Sequence, residues 1–409
     1  MRFAATFRLL LLAIALLGLA GSSGSYAAAG SAYSRNYVQK AYVAYYGRPA
    51  DPGGQDYWAS RLDEEGGSLN AIIGAFGYSD EFNRRYGGLS YGALVTKIYQ
   101  QALGRDPDLG GLNWYVNELL AGRRTLQTIT LDVLNGATTE PDSIVVANKL
   151  LVAAYFTSRV AVGCSYGTEQ TGVNTVAGVT DAFATAIAAA AAIDSWCGPR
   201  GGISTSQGLW RGRTIFNQSF WGFILDSGSY YFIYSTPGTF LPGGFVQGTL
   251  GVANGRDFAI GAGVYPIGLD ITYQPRSYVQ GSVVELGDTI PFAGLYDPEY
   301  EQPASLADAA GTYLSAVATP ATGWQEVTVT LLPSGVLFGG ASGCTFTGTA
   351  LPHGSVNVFE LTVQFNGGLC VFGTSTLYGI AHYDPLFRGI VGMAPNASRT
   401  DGFMFFGLK

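Results

Sequence analysis

The spacing of apolar positions changes near residue 200. Before that point apolar residues recur at three- and four-residue intervals, as in Tyr42, Tyr45 and Tyr46, which indicates amphipathic helices. From Gly208 onward, short runs rich in aromatic and β-branched residues alternate with turn clusters such as Asp226-Ser227-Gly228. These turn clusters predict strands roughly every 8 to 12 residues. The chain is therefore predicted to be helical over residues 33–200 and all-β afterwards.

The β region is predicted to hold two antiparallel modules, at residues 205–300 and 308–409. Each opens on a glycine-led run, Gly208–Gly212 or Gly311–Ser315, and each has room for about eight strands. Between them, residues 297–310 are acidic and punctuated by proline, which is typical of a linker. The predicted fold class is multidomain α + β: an all-α repeat module followed by two tandem small barrels or sandwiches.

The helical region contains an internal repeat with an offset of 57 residues. Residues 42–62 align with residues 99–119 without a gap, and seven of the 21 aligned positions are identical. Such similarity indicates one supersecondary unit used twice.

The loop of each repeat can be interpreted in physical terms. Gly47 and Gly104 suit the left-handed end of a helix, and Asp51 and Asp108 suit the N-cap of the next helix. An ion pair of Arg48 with Asp51, or of Arg105 with Asp108, would complete the loop. Ten residues are accordingly predicted to be structural: Gly47, Arg48, Asp51, Gly53, Trp58, Gly104, Arg105, Asp108, Gly110 and Trp114.

These loop motifs resemble a bacterial family, domain of unknown function 4214. The resemblance rests on Gly47-Arg48-x-x-Asp51-x-Gly53 with Tyr57-Trp58, on the equivalent motif that ends at Trp114, and on Ser79-x-Glu81-Phe82. It extends over about residues 36–160. The family occurs in secreted surface-layer and haemolysin-like proteins and is distantly similar to phycobilisome linker helices. The resemblance implies a helical extracellular module that serves surface association, and it implies no catalytic residue.

The N-terminus predicts export. Arg2 and Arg8 precede an apolar run at residues 9–19, and the alanines at residues 27–29 offer a cleavage site, so residues 1–29 are predicted to be a signal peptide. Removing those two arginines changes the formal charge from −7 to −9. An acidic protein is repelled by phosphates, which argues against nucleic-acid binding. No transmembrane helix is expected in the mature chain, because the alanine-rich stretch at residues 181–196 is too short. The predicted location is secreted or at the cell surface.

Four cysteines remain in this exported chain. An even number suggests disulfides in an oxidising compartment. Because each pair falls within one compositional region, we expect Cys164 to pair with Cys197 and Cys344 with Cys370. A zinc site built on these cysteines is not supported, because the chain has no C-x-x-C spacing.

No catalytic constellation is recognisable in the sequence. His353 and His382 are the only histidines, and the first is interpreted as a solvated loop residue. His382 with Asp384 could in principle hold a metal or act as a general base, but two alternating residues on one strand do not make a site. The carboxylates Asp297, Glu299 and Glu301 are interpreted as solvated linker residues.

No metal or cofactor site is predicted either. Calcium stays open as an alternative at Asp106 and Asp108, where half of an EF-hand pattern is present. The aromatic residues of the strands are interpreted as packing residues, and no binding site is assigned to them.

These observations lead to one leading hypothesis and two alternatives. The leading hypothesis is an exported, non-enzymatic bacterial protein for adhesion or for envelope or matrix association, with an extracellular polysaccharide or an envelope component as its partner. The first alternative is a small-ligand carrier with a β-barrel cavity. The second is a cryptic glycan hydrolase.

Overall fold

Helices, a first β-barrel and a second β-barrel follow one another along the chain in this computed structural model. The structure describes residues 32–68, 70–198, 205–216, 218–236, 242–341, 343–384 and 388–409. The predicted signal peptide lies outside these residues. The predicted order, a helical region followed by two antiparallel β modules, is confirmed, and both modules are closed barrels rather than sandwiches.

Ten helices precede the first strand within the described residues. They are α1 (Ala32–Tyr46), α2 (Pro52–Glu64), α3 (Asn70–Gly77), α4 (Asp80–Tyr86), α5 (Tyr91–Leu103), α6 (Leu109–Leu120), α7 (Leu126–Gly136), α8 (Asp142–Ala161), α9 (Glu169–Ala177) and α10 (Phe183–Cys197). Rings of α1 and α3 meet in the centre of this bundle, where Tyr42 and Phe76 are 5.0 Å apart between ring centroids. The apolar stripe seen in the sequence is thus the buried face of α1.

The repeat loops join α1 to α2 and α5 to α6. Gly47 and Gly104 have φ angles of 62° and 71°, the left-handed conformation that favours glycine. Asp51 accepts a hydrogen bond from the Gly54 N–H at 2.7 Å, and Asp108 does the same for Gly111 at 2.8 Å. Both carboxylates therefore cap the following helix, as the sequence predicts.

The predicted ion pairs within the loops are wrong. Arg48 forms a bidentate pair with Glu81, at 3.0 and 2.8 Å, and Arg105 forms one with Asp142, at 2.8 and 2.5 Å. The physical reason is that the loop aspartates already accept the cap N–H groups. Each arginine instead reaches a carboxylate on a later helix, which fixes the repeat loop against the rest of the bundle.

Helix α8 is the one described helix that is long and apolar enough to cross a membrane, and 61% of its apolar window is buried inside the protein. It also carries buried polar residues, including Asn148, Lys149 and Arg159. Lys149 donates a hydrogen bond to the Gln101 carbonyl at 2.6 Å, and burial lowers its pKa to about 8. These features describe the central core helix of the bundle.

Sixteen strands in the described residues form the two barrels. The first barrel consists of β1 (Gly208–Thr214), β2 (Ser219–Ile224), β3 (Ser229–Ser235), β4 (Pro242–Thr249), β5 (Gly255–Ala259), β6 (Gly263–Gln274), β7 (Tyr278–Glu285) and β8 (Asp288–Asp297). The second consists of β9 (Gly311–Thr319), β10 (Gly323–Leu331), β11 (Val336–Ala341), β12 (Cys344–Pro352), β13 (Phe359–Phe365), β14 (Thr376–Asp384), β15 (Gly389–Pro395) and β16 (Gly402–Leu408). Consecutive strands pair antiparallel, and each barrel closes by pairing its first strand with its last.

Aromatic rings fill the first barrel, and glycines make room for them. A Cβ atom at Gly222 would lie 2.4 Å from the Phe232 ring, and one at Gly248 would lie 2.3 Å from the Tyr230 hydroxyl. Part of the glycine excess of the chain therefore comes from strand positions that are paired with a ring on the neighbouring strand, in addition to turns. The interior of this barrel is a packed core.

Both predicted disulfides are confirmed. Cys164 is bonded to Cys197, which joins the segment after α8 to the end of α10. Cys344 is bonded to Cys370, which joins the start of β12 to the loop between β13 and β14. Each bond closes a local loop, with sequence separations of 33 and 26 residues.

The three regions pack directly against one another. Phe223 and Phe245, on the outside of the first barrel, share a buried cluster with Ile380 and Met393 of the second barrel. The bundle contacts the first barrel through Asp194 of α10, which accepts hydrogen bonds from Ser277 of that barrel and from Arg159 of α8. Each barrel therefore has one wall that is covered by its neighbour.

Candidate functional site

A group of mostly buried charged side chains lies where the two barrels meet. Arg211 of β1 points out of the first barrel toward the second and forms ion pairs with three carboxylates. It binds Asp297, and its guanidinium lies 3.1 Å from Glu299 and 3.3 Å from Asp384. The Trp221 ring stacks on it with its centroid at 4.4 Å. The three acidic neighbours raise the pKa of Arg211 against the opposing effect of burial, so this arginine stays charged.

Two of these carboxylates come from the segment that the sequence suggested was a solvated linker, and that interpretation is wrong. Asp297 ends β8 and caps a 3-10 helix at Pro298–Glu301, accepting the Glu299 N–H at 2.9 Å. That short turn directs Glu299 back toward Arg211. Glu301 pairs with Arg276 at 2.8 Å. The segment, which continues into α11 (Leu306–Ala309), follows the seam between the barrels, so its acids are held by cations of the first barrel.

His382 completes the group from the second barrel. Its side chain on β14 is 0% exposed and lies against the Phe223 ring, with 5.2 Å between ring centroids. Its Nδ1 is 2.8 Å from the Asn357 carbonyl oxygen. Burial lowers the pKa of His382, which keeps the imidazole neutral. One ring nitrogen of His382 and one carboxylate oxygen each from Glu299 and Asp384 all lie within 4.8 Å of one another, so these three residues could hold a metal ion.

Burial also changes the acid–base behaviour of Glu299. Desolvation raises the pKa of this carboxyl well above its ordinary value, and the nearby charges of Asp297 and Asp384 add to the effect. Glu299 therefore keeps a proton more readily than an exposed glutamate does.

His353 lies in a loop, as predicted, but it is only partly solvated, because it lies at a second contact between the barrels. Its Nδ1 is 2.9 Å from Glu360 of the second barrel, and its Nε2 is 3.2 Å from Asp226 of the first. Burial lowers the pKa of His353, but the hydrogen bonds to Glu360 and Asp226 outweigh it, so the net change is upward. This histidine is a polar bridge between the barrels.

The second barrel contains a cavity of about 90 Å³ at one end. Its lining is mostly apolar, and the loop between β13 and β14 covers it with Leu369, Val371 and Phe372. The disulfide at Cys370 holds this loop in place, and Phe372 packs on Phe365 with 5.0 Å between ring centroids. The cavity is therefore an apolar space under a covalently fixed loop.

The residues that the sequence singled out fall into two groups. The repeat-loop residues lie in the helical bundle, and Asp106 and Asp108, the carboxylates considered for calcium, accept hydrogen bonds from Gln100 and Gly111. His382, Asp297 and Glu299 do come together, which the sequence did not predict. The sequence singles out Asp384 only as a neighbour of His382, and it does not single out Arg211, which is 173 positions away from Asp384. No local motif marks such a pair.

The fold defines the class of protein: a helical repeat module joined to a pair of closed eight-stranded barrels. The model of the family described as "Domain of unknown function (DUF4214)" matches residues 18–82 and 73–136, which confirms the resemblance noted for the N-terminal half. No family model matches the C-terminal half. No curated protein matches the chain.

Some solved structures are similar to part of the chain. The isotype 1 transferrin binding protein B from serogroup B Neisseria meningitidis is 8% identical, with a TM-score of 0.20, over 49% of this chain and 66% of that chain. Intact Ap-TbpB, with its N and C lobes, is 7% identical with a TM-score of 0.18, over 46% of this chain and 54% of that one. A mutant of the vaccine antigen transferrin binding protein B from Haemophilus parasuis Hp5 is 8% identical, with a TM-score of 0.18, over 46% and 52%. The chain thus spans between half and two thirds of the length of these proteins.

Proposed function

We propose that this protein is an exported, non-enzymatic surface or matrix protein that binds a neutral polysaccharide through the second barrel. The observation that carries this proposal is the outer surface of that barrel formed by β11, β12, β13 and the start of β14, called here the neutral wall. Residues 311–387 contain no lysine or arginine. The one charged residue within β11 to β13 is the exposed acid Glu360, so the neutral wall lacks the positive charge that binding to an acidic polymer would need.

The side chains of the neutral wall suit a sugar polymer. Cross-strand pairing places Val336, Thr349, Thr362 and Tyr378 in one row across four strands, and Phe338 pairs with Thr347 in the next row. Phe338 is 45% exposed and Tyr378 is 67% exposed. Exposed rings can pack against the apolar face of a sugar, while threonine hydroxyls exchange hydrogen bonds with sugar hydroxyls. The exposure of these rings supports an interaction surface at this position.

The helical module supports the surface-association part of the proposal. Tyr57 and Trp114 occupy the same position in the two repeats, and they are 58% and 49% exposed. Their neighbours Trp58 and Tyr115 pack against the helical core. Core packing alone does not require an exposed aromatic side chain in both copies, so we infer that these two rings contact the envelope or matrix.

Two disulfides support the proposed location. Disulfides persist in oxidising compartments and are rare in the cytosol. Together with the predicted signal peptide, they favour a secreted or cell-surface protein.

Binding to immobilised exopolysaccharide tests the role of the neutral wall. We expect the double variant Phe338→Ser with Tyr378→Ser to bind at least ten-fold more weakly, because both exposed rings are lost. Tyr273→Ser, which removes an exposed ring of the first barrel, is the matched control and should bind normally. Undiminished binding of the double variant would remove the neutral wall from the proposal.

Retention on isolated cell envelopes tests the role of the repeats. The double variant Tyr57→Ser with Trp114→Ser should be released more readily than the wild type. Tyr78→Ser, a change at another exposed ring of the bundle, is the control. Equal retention of all three proteins would argue against association through the repeats.

A second candidate function, a small-ligand carrier, is favoured by the cavity of the second barrel. Its volume of about 90 Å³ is suited to a small apolar molecule rather than to a lipid chain. A native mass spectrum of the protein purified from its source should show an adduct if the cavity carries a ligand. A spectrum of the bare chain mass would count against a carrier.

A further inference from the structure

Three carboxylates converge on one guanidinium between the barrels. Arg211 forms ion pairs with Asp297, Glu299 and Asp384. Carboxyl groups with little access to water are stable when they are protonated, paired or bound to a metal ion. A metal ion at this position would share these carboxylates with Arg211.

An unused ligand atom lies beside these carboxylates. His382 Nε2 is buried and has no hydrogen-bond partner among the described residues. The other nitrogen, Nδ1, faces the Asn357 carbonyl at 2.8 Å, and it must carry the proton because a carbonyl oxygen only accepts. Nε2 therefore presents a lone pair. This arrangement, with a backbone carbonyl fixing the tautomer, is the usual one for histidines that bind metals.

The distances suit a metal ion after small side-chain movements. The ligand atoms of His382, Glu299 and Asp384 lie within 4.8 Å of one another. Two ligands of a tetrahedral Zn²⁺, each at about 2.1 Å, are separated by roughly 3.4 Å. Rotation of the two carboxylates toward Nε2 would shorten the separations between ligand atoms from at most 4.8 Å to about 3.4 Å.

We propose that His382, Glu299 and Asp384 bind a divalent transition-metal ion, for which Zn²⁺ is the probe. Arg211 and the ion would then share the three carboxylates of this group. One imidazole nitrogen with carboxylate oxygens favours Zn²⁺ over Mg²⁺ or Ca²⁺, which prefer all-oxygen sites. The ion would connect β14 of the second barrel to the 3-10 helix that follows the first, and it would hold the barrels together. This inference is independent of polysaccharide binding.

Isothermal titration of the chelator-treated full chain with Zn²⁺ tests the site. We expect one ion per chain in the wild type and at least 100-fold weaker binding in His382→Gln. The chain offers a matched control in His353→Gln, because His353 also lies between the barrels beside two carboxylates. This control should bind Zn²⁺ as tightly as the wild type. Loss of binding in His353→Gln, or wild-type affinity in His382→Gln, would overturn the proposal.

A second variant keeps the test decisive if His382→Gln does not fold. Glu299 is partly exposed at the edge of the seam, so Glu299→Gln removes a ligand with less disturbance of the core. Its circular dichroism should match that of the wild type, and its affinity for Zn²⁺ should fall at least ten-fold. Co²⁺ added to the wild type should give the visible absorption of a four- or five-coordinate site. A folded Glu299→Gln that binds Zn²⁺ like the wild type, or a six-coordinate Co²⁺ spectrum, would refute the site.

Discussion

The carboxyl pair inside the first barrel should make the stability of the protein depend on pH. Asp257 of β5 is 5% exposed and accepts hydrogen bonds from the Tyr234 hydroxyl at 2.8 and 3.0 Å. Burial raises the pKa of Asp257 to about 7, and the nearby Glu285 carboxylate adds to the increase. The hydrogen bond from Tyr234 lowers the pKa of Asp257, but its effect is smaller than that of burial. Near neutral pH the folded protein therefore binds a proton that the unfolded chain releases.

The sign and size of the effect follow from this difference. An unfolded aspartate has a pKa near 3.8, so between pH 4 and 7 the folded state holds one more proton than the unfolded state. Raising the pH through this window lowers the free energy of unfolding. Each pKa unit corresponds to about 1.36 kcal/mol, so about 2–3 kcal/mol should be lost between pH 5 and pH 8. The Asp257→Asn variant has no proton to lose at this position, and its stability should not show this dependence.

Urea unfolding at pH 5, 6, 7 and 8, with disulfides intact, measures how the free energy of unfolding differs between the wild type and Asp257→Asn. The difference should shift by about 2–3 kcal/mol in favour of the variant as the pH rises. Asp288→Asn, at an exposed position of the same barrel, is the matched control and should follow the wild type. A constant difference between the wild type and Asp257→Asn across the pH range would refute the reasoning.

Three further changes test the packing and the covalent links. Gly222→Ala places a methyl group against a ring in the first barrel and should destabilise the protein by about 1–3 kcal/mol in urea, whereas Gly268→Ala, whose nearest neighbour would be 3.7 Å away, should cost much less. Replacing Cys344 and Cys370 by serine opens a loop with a separation of 26 residues, and thermal unfolding should show a loss of about 3 kcal/mol. Arg211→Met leaves three carboxylates without their buried partner and should cost about 3–5 kcal/mol; an unchanged urea midpoint would contradict the pairing.

Local signals along the chain were sufficient for much of this architecture. The helix ends at Gly47 and Gly104 and the caps at Asp51 and Asp108 depend on contacts between residues a few positions apart, so the repeat revealed them. The two disulfides could be predicted because each closes a loop within one region. The alternation of strands and turns predicted two β modules for the same reason, since antiparallel neighbours follow one another in sequence.

The tertiary structure decided what the local signals left open. Whether the modules were barrels or sandwiches depended on the pairing of β1 with β8 and of β9 with β16, which join the ends of each module. The partners of Arg48 and Arg105 lie on distant helices, and the environment of His382 is created by residues of both barrels. A carboxylate such as Glu299 is solvated or buried according to what packs over it. The sequence by itself therefore determined the elements, their order and their local links. The burial and grouping of charged side chains were decided only by folding, because both depend on residues that are far apart along the chain.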